Sequence, residues 1–342
     1  MAGSASEQIA LTGCGWVTPF AAGSISTVLE AARRHRGGPT TDEDHWAVPD
    51  DSLADDLDLA KELRSDRGAW MTAVAFEHAR RTAGLTGASV APERVGLALG
   101  RALAGQLGMI EFADEVRRQT ARFVSPIHFP QTVGNYVAGA LARGYDIRGP
   151  NTTLSSGIAS GLDAVIEGCR LLRRGVADVV FAGGSDSMSK ALALGLTEPG
   201  VALSEGACLF VLERAEHAER RGVAPLAAVT GSTQLSAGDR AVPGAGNGIV
   251  SAAGVGRPGA IVIEHWIGRC FAALGAAAVA AAIGAAGGFE VPLSSAADRE
   301  SVSIGRITVP PVAVPAGIVV VADADGAHVA TLELAVAGGV MG

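Results

Sequence analysis

The sequence predicts an α/β protein, chiefly from one stretch and from its composition. Residues 149–186 predict a short extended entry, a turn of small residues, a helix with apolar side chains every three or four positions, and a strand at 176–182 that ends in Gly183-Gly184. The chain has 342 residues, of which 48% are hydrophobic, 46 are glycine and only 4% are aromatic. This length allows a substantial core, and the composition favours close packing of helices on sheets by small side chains.

Charge and cysteine usage narrow the possible functions. The 27 Lys and Arg residues face 35 Asp and Glu residues, so the net charge of -8 gives no support for nucleic-acid binding. The four cysteines have no metal-ligand spacing, and Cys14, Cys169 and Cys208 lie in apolar or glycine-rich runs. We therefore expect reduced, buried thiols, with neither a bound metal nor a cofactor.

The sequence gives no reason to place the protein in a membrane. The N-terminus lacks a basic region followed by an apolar stretch, so we expect no signal peptide. The alanine-rich run at residues 274–286 is about one-third too short to cross a bilayer. It predicts a helix buried in a large protein, and the chain is expected to be cytoplasmic.

The elements before residue 149 follow from local pattern. A strand is predicted at residues 9–11, then a helix at 26–34 with Ser24 as its N-cap. The polar residues 35–58 predict a surface loop with His35 and His45 exposed to solvent. A small-residue helix at 69–83 and a strand at 95–99 follow, and then a helix that places Met109, Phe112 and Val116 on one face.

Residues 149–186 have the form that presents a nucleophile, because the N-terminus of the helix after a tight turn stabilises negative charge. The stretch resembles the nucleophile region of the β-ketoacyl synthases, in which a Gly-Pro entry precedes an elbow that carries a cysteine. In that pattern Ser155 and Ser156 precede the nucleophile, and the nucleophile's own position is Ile158. An isoleucine cannot form a thioester, so condensation by the usual covalent route is excluded.

Three further blocks carry the same resemblance in family order. They are Thr12-Gly13-Cys14-Gly15 with Thr18-Pro19, Phe129-Pro130 with Asn135, and Glu205-Gly206-Ala207-Cys208 with Leu212-Glu213 and His217-Ala218. The resemblance covers the first two-thirds of the chain. It implies a thiolase-like, five-layered αβαβα fold with two pseudo-symmetric halves, each holding a mixed five-stranded sheet. The predicted halves are residues 1–225, with the degenerate elbow, and a shortened half at 226–342. His217 is expected to lie on a helix face without a chemical role.

The last third departs from the pattern of active members, which carry two further histidines that polarise the substrate carbonyl. In one alignment Arg269 replaces the second histidine and Glu264 replaces the lysine before it. In the other alignment His265 retains the first histidine, but the loop around it is missing. Residues 323–328, which end at His328, replace the family's phenylalanine gate. Strands are predicted on either side of them, at 318–322 and 329–336.

The resemblance therefore implies a non-catalytic chain length factor, the ketosynthase β subunit of a type II polyketide synthase. Such a subunit pairs with an active ketosynthase, and the heterodimer elongates a polyketide on an acyl carrier protein that docks mainly on the ketosynthase. The unusual Ile158 and the missing loops point to a reduced, polyene-type chain. Met109, Phe112 and Val116 would line the tunnel that sets chain length, unless they are ordinary core or dimer-core residues. The expected interface residues are Gly105, Phe129, Asn135, Ser155 and Ser156.

Two other functions remain open from the sequence. One is an acyltransferase or condensing enzyme that uses Ser155 or Ser156 as nucleophile, with His265 or His328 as its base. The other is a homodimeric scaffold that binds an acyl carrier protein without any ketosynthase partner.

Overall fold

Strands and helices alternate through the first half of the chain in the computed structural model. It describes residues 8–35, 45–53, 61–85, 90–119, 122–124, 126, 128–196, 201–236, 248–251, 261–286, 293–294, 302–303, 318–324 and 328–336. The strands are β1 Ile9–Val17, β2 Ala22–Gly23, β3 Val95–Gly100, β4 Asn151–Leu154, β5 Val179–Asp186, β6 Gly206–Arg214, β7 Ala227–Ser236, β8 Gly248–Ser251, β9 Ile261–Val262, β10 Leu293–Ser294, β11 Val302–Ser303, β12 Ile318–Ala324 and β13 His328–Ala335. The helices are α1 Ile25–Arg34, α2 Asp50–Leu53, α3 Lys61–Arg64, α4 Arg67–Thr82, α5 Gln106–Gln119, α6 Tyr136–Gly144, α7 Ser160–Arg173, α8 Lys190–Leu196, α9 Ala215–Arg220, α10 Glu264–Ile267 and α11 Ala272–Ala286.

Ten of the described strands form two mixed groups of five, while β2 pairs with β1 and β10 pairs with β11. The first has the order β4-β3-β5-β6-β1, in which β3 is parallel to β4 and β5, whereas β6 is antiparallel to β5 and β1. The second has the order β7-β13-β12-β8-β9, with parallel pairing of β12 with β8 and of β8 with β9. A short antiparallel pairing of β1 with β7 joins the groups. The predicted thiolase-like fold is confirmed, with its two five-stranded groups joined into one mixed sheet, while the domain boundary at residue 225 stays a prediction.

Helices α7 and α11 lie between the two groups of strands, and α4 and α6 cover the outer face of the first group. The side chains of strand β5 alternate between these two helix layers. Val180 and Ala182 pack in the core that contains α7 and α11, whereas Val179 and Phe181 pack in the core that contains α4 and α6. A strand buried on both faces needs a continuous apolar sequence, and residues 179–182 supply it.

The alanine-rich helix α11 is buried along nearly its whole length, as the sequence predicts. Its small side chains allow close contact at its N-terminus. A Cβ atom at Gly184 in β5 would lie 2.2 Å from the carbonyl oxygen of Ala272, so only glycine fits there. Within the described ranges, no helix is long and apolar enough to cross a membrane.

Most local predictions are confirmed, but β1 continues to Val17 beyond the predicted residue 11, and α2 lies within the predicted loop at 35–58. Ser24 caps α1 by accepting a hydrogen bond from the backbone of Thr27, and all four cysteines are buried and free. The strand predicted from residue 176 begins at Val179, because Asp178 is still in the turn and pairs with Arg94. His45 is buried rather than exposed, since Trp46 bonds to Leu203 and draws this segment inward.

Candidate functional site: the elbow between β4 and α7

The elbow is a closed strand-turn-helix connection. Strand β4 ends at Leu154, Gly157 adopts a left-handed conformation with φ of 67°, and α7 begins at Ser160. The Ser160 hydroxyl donates to the carbonyl of Gly157 at 2.6 Å and accepts from the backbone N–H of Ser156 at 2.8 Å. These bonds hold the turn that a nucleophile would require, so the frame of the site is intact.

Ile158, at the position that the resemblance assigns to the nucleophile, lies in this turn. Its side chain is only 8% exposed and belongs to the core formed with α7 and α11. Helix α11 approaches so closely that a Cβ atom at Gly275 would lie 3.3 Å from the carbonyl oxygen of Ile158. The position is therefore filled by apolar packing and offers no group that can attack an acyl carbonyl.

The serines before Ile158 differ in their surroundings. Ser155 is exposed, whereas the Ser156 hydroxyl donates a hydrogen bond to the carboxylate of Asp163. Asp163 is only 2% exposed and also accepts from the side-chain amide of Gln234, whose carbonyl in turn accepts from Arg170. The sequence prediction missed Asp163. The available signal was a carboxylate in the first turn of a helix whose neighbouring positions are apolar.

The segment that enters α11 carries an ion pair between Glu264 and Arg269. Both side chains are largely buried, and the Arg269 guanidinium donates to the Glu264 carboxylate. The backbone of Arg269 bonds to Ala202 at 2.7 Å and to Ser204 at 3.0 Å, which fixes the segment. The choice between the two alignments stays a prediction. The side chains of His265 and His328 lie outside the described residues.

Asp186, at the end of β5, joins the segment after β3 to the start of α11. Its carboxylate accepts backbone hydrogen bonds from Ala102, Leu103 and Ala272 at 2.9 to 3.0 Å. Burial raises the pKa of Asp186, although the nearby Arg101 guanidinium and these N–H groups oppose the rise. Asp186 therefore fixes the start of α11 against the strand ends. The sequence prediction assigned it no role.

Two buried glutamates hold segments that are distant in sequence together by hydrogen bonds. Glu205 accepts from the guanidinium of Arg67 and from the backbone of Val48 and Met188. Glu213 accepts from Arg221 at 2.8 and 2.9 Å, and from Thr12 and His217. Burial opposes ionisation of Glu213, but these hydrogen bonds prevail and lower its pKa. His217 thus bonds within this buried network.

The predicted tunnel residues lie on the surface of α5. Met109 is 55% exposed, while Phe112 and Val116 are half-buried. The Phe112 ring contacts that of Phe129, which is 57% exposed, with 6.1 Å between the ring centroids. Beside Phe112, a cleft of about 720 Å³ opens between α5, residues 128–131 and α6.

The structure brings only some of the predicted interface residues together. Gly105 lies in the turn before α5, where it meets Thr132, the last residue of the short turn that begins at Phe129. Asn135 is exposed at the start of α6. In the part of the chain that the structure describes, no group of three His, Cys, Asp or Glu side chains is arranged to hold a metal ion.

Comparison with known proteins identifies the family. Residues 6–218 match the family described as "Beta-ketoacyl synthase, N-terminal domain", and the chain belongs to it. It is 27% identical over 258 residues to 3-oxoacyl-[acyl-carrier-protein] synthase 2 of Coxiella burnetii, an alignment that covers 66% of this chain and 62% of that protein. It is also 27% identical over 265 residues to the tetracenomycin polyketide synthase ketoacyl synthase alpha subunit of Streptomyces glaucescens, with 66% and 62% covered. The chain therefore spans less than two thirds of either relative.

A solved structure shares the fold over a longer span. The ishigamide ketosynthase/chain length factor superposes with a TM-score of 0.74 and 21% identity, over 97% of this chain and 100% of that chain. At this identity the similarity establishes the ketosynthase fold and no finer property.

Proposed function

We propose that this chain is a non-catalytic chain length factor, which pairs with an active β-ketoacyl synthase to form a heterodimer that elongates a polyketide on an acyl carrier protein. The observation that carries the proposal is Ile158, a buried apolar side chain at the nucleophile's position of an otherwise intact elbow. The turn of the elbow is formed, but its nucleophile position carries no nucleophile, as expected of a subunit that contributes structure rather than catalysis.

The entry to α11 supports the same conclusion. A condensing enzyme needs neutral donors aimed at the developing oxyanion. Here Arg269 is a cation whose guanidinium is already bonded to Glu264. A buried ion pair of this kind fixes a segment in place and leaves the guanidinium poorly suited to polarising a carbonyl.

The surface around α5 supports a protein partner. Large apolar side chains are exposed there, at Met109, Phe123, Phe129 and Val133. Strand β4 lies at the end of its sheet, and among the described strands only β3 pairs with it. Exposed apolar patches and open strand edges are features of protein interfaces. We place the partner ketosynthase here, with Gly105, Phe129, Asn135 and the elbow serines at the interface, and the tunnel along Met109, Phe112 and Val116.

One observation favours a second candidate, an enzyme with Ser156 as nucleophile. The Ser156 hydroxyl donates to the Asp163 carboxylate, so a proton acceptor is in contact with it. Asp163 is also held by Gln234, however, and in this arrangement the bond closes the turn. An acyl adduct on Ser156, detected by mass spectrometry and absent in Ser156→Ala, would establish this alternative.

The deciding experiment is co-expression with an active type II ketosynthase, followed by size-exclusion chromatography and an elongation assay with malonyl-loaded carrier protein. We expect a one-to-one complex that elongates only when both chains are present. Ser155→Ala and Ser156→Ala should leave its rate unchanged. A homodimer that forms and remains soluble without the ketosynthase would instead support the scaffold function.

A further inference from the structure

A second cavity lies at the end of the first group of strands that is remote from the elbow. It has a volume of about 280 Å³, and its lining includes Val95 and Val179, the first residues of β3 and β5. The elbow follows Leu154, the last residue of β4, and β3 runs parallel to both β4 and β5. The cavity and the elbow are therefore at opposite ends of the same parallel strands.

Three aromatic rings in mutual contact line this cavity. The Phe76 ring on α4 has its centroid 4.2 Å from that of Tyr145 and 4.0 Å from that of Phe181 on β5. Ring surfaces of this kind favour contact with another ring. An apolar cavity of roughly 150 Å³ binds benzene, so this one has room for a single ring with a short substituent. The rest of its apolar lining comes from Leu85, Val90, Pro92, Val95, Ile147 and Val179.

The charged side chains that line the cavity are already paired. The Arg80 guanidinium donates to Oε2 of Glu77 at 2.8 Å and to the carbonyl of Leu85 at 2.9 Å. The Asp146 carboxylate accepts from Arg148 at 2.8 Å. A charged ligand would have to compete for these partners or enter without a counterion, so the lining favours a neutral ligand.

The Tyr145 hydroxyl, by contrast, is buried and has no hydrogen-bond partner among the described residues. Burial and the nearby Glu77 carboxylate raise the pKa of Tyr145, so the hydroxyl keeps its proton and can donate it in a hydrogen bond. A buried donor without an acceptor is unfavourable, and an oxygen brought by a ligand would satisfy it.

From these observations we infer that the cavity binds a neutral, single-ring aromatic compound whose carbonyl or hydroxyl oxygen accepts a hydrogen bond from Tyr145. The inference goes beyond the proposed function, because no residue of this lining belongs to the elbow, to α5 or to the proposed interface. The ligand would contact α4, the end of α6 and strands β3 and β5 together, so its binding should stabilise the folded chain.

The test compares two probes of nearly the same shape, acetophenone and α-methylstyrene, in which a CH₂ group replaces the carbonyl oxygen. NMR titration of the full chain, alone or with a co-expressed ketosynthase, gives both dissociation constants. We expect acetophenone to bind about tenfold more tightly, and Tyr145→Phe to reduce this preference to about one because it removes only the hydroxyl. Tyr136→Phe, at the other tyrosine of the chain and outside this cavity, should keep the preference.

Thermal unfolding of Tyr145→Phe without a probe supplies an independent measurement. Since the hydroxyl makes no hydrogen bond in this structure, its removal should not lower the Tm. A lowered Tm would show that the hydroxyl is already bonded within the chain, and it would overturn the inference.

A further variant tests the location of the site. Val90→Phe enlarges a half-buried side chain of the lining and should abolish the binding of both probes, with circular dichroism to check that the chain is folded. The inference is overturned if the wild-type chain binds neither probe or binds both equally, if the preference persists in Tyr145→Phe, or if folded Val90→Phe still binds. These outcomes do not bear on the heterodimer, which the co-expression and elongation assay tests separately.

Discussion

The elbow and the surface of α5 differ in the burial and hydrogen bonding of their side chains. At the elbow, Ile158 is buried and Ser156, Ser160 and Asp163 are bonded to one another or to the backbone. On α5, Met109 projects into solvent. Hydrogen bonds within this chain stabilise the turn of the first region, and the second exposes apolar side chains of the kind found at protein interfaces. The difference teaches that bonds within this chain satisfy the elbow, whereas the exposed apolar side chains of α5 are left for the partner that we propose.

The strongest way to break this contrast is to disrupt the ion pair that fixes the entry to α11. Arg269→Ala leaves Glu264 buried without its partner, and we expect a loss of about 3–5 kcal/mol in the free energy of unfolding. Urea denaturation measures it. Arg117→Ala is the matched control, since Arg117 pairs with Asp114 on the exposed face of α5, and it should change stability little. Equal effects of both variants would show that the α11 entry is not held by this pair.

A smaller effect is expected within the elbow itself. Ser156→Ala removes one donor to the buried Asp163 carboxylate, which should cost about 1–3 kcal/mol of stability. Ser155→Ala, at an exposed neighbouring position, serves as the control and should cost almost nothing. The elongation rate of the complex should stay unchanged in both. A selective loss of rate in Ser156→Ala at full stability would favour the serine enzyme.

The pH dependence of stability tests the hydrogen-bond network around Glu213. Hydrogen bonds lower the pKa of Glu213 below its ordinary value of 4.5, so its contribution is fully present above that pH and is lost as the pH falls through the lowered pKa. The free energy of unfolding should therefore fall on acidification below about pH 4.5. Glu213→Gln should reduce this dependence while lowering stability at neutral pH. If stability falls with acidification in that variant as it does in the wild type, Glu213 is not the cause of the pH dependence.

Substitutions on α5 should have the smallest effect on stability but a clear effect on the length of the polyketide product. Met109→Trp enlarges an exposed side chain and should change the free energy of unfolding by no more than about 0.5 kcal/mol. In the complex, the same change should shorten the polyketide without abolishing condensation, as should Phe112→Trp. Product length is measured by mass spectrometry, with Asp114→Asn as a control. Unchanged length in both Trp variants would return these residues to ordinary interface packing.

The sequence predicted the fold because the elements that define it follow from local patterns. A strand, a turn of small residues and an apolar helix specify the elbow, and Ile158 stands at the position that the resemblance assigns to the nucleophile. The ion pair of Glu264 with Arg269 could also be located, as two departures five positions apart. Alignment alone could not show that the two side chains bond, since this depends on how the segment folds.

The contacts that the sequence could not predict join residues far apart in the chain. Asp163 is bonded to Gln234, and Asp186 holds Ala102 and Ala272. The pairing of such residues depends on the tertiary arrangement, which no local periodicity encodes. For the same reason, the sequence proposed histidines as the serine's base and overlooked the carboxylate beside it.

The central claim is that this chain contributes shape and no covalent chemistry. The most direct test is to incubate the complex with an acyl-loaded carrier protein, stop the reaction in acid, and weigh each intact chain by mass spectrometry. We predict an acyl group on the partner ketosynthase and an unmodified mass for this chain. An acyl adduct on this chain that accumulates and decays at the rate of elongation would contradict the claim.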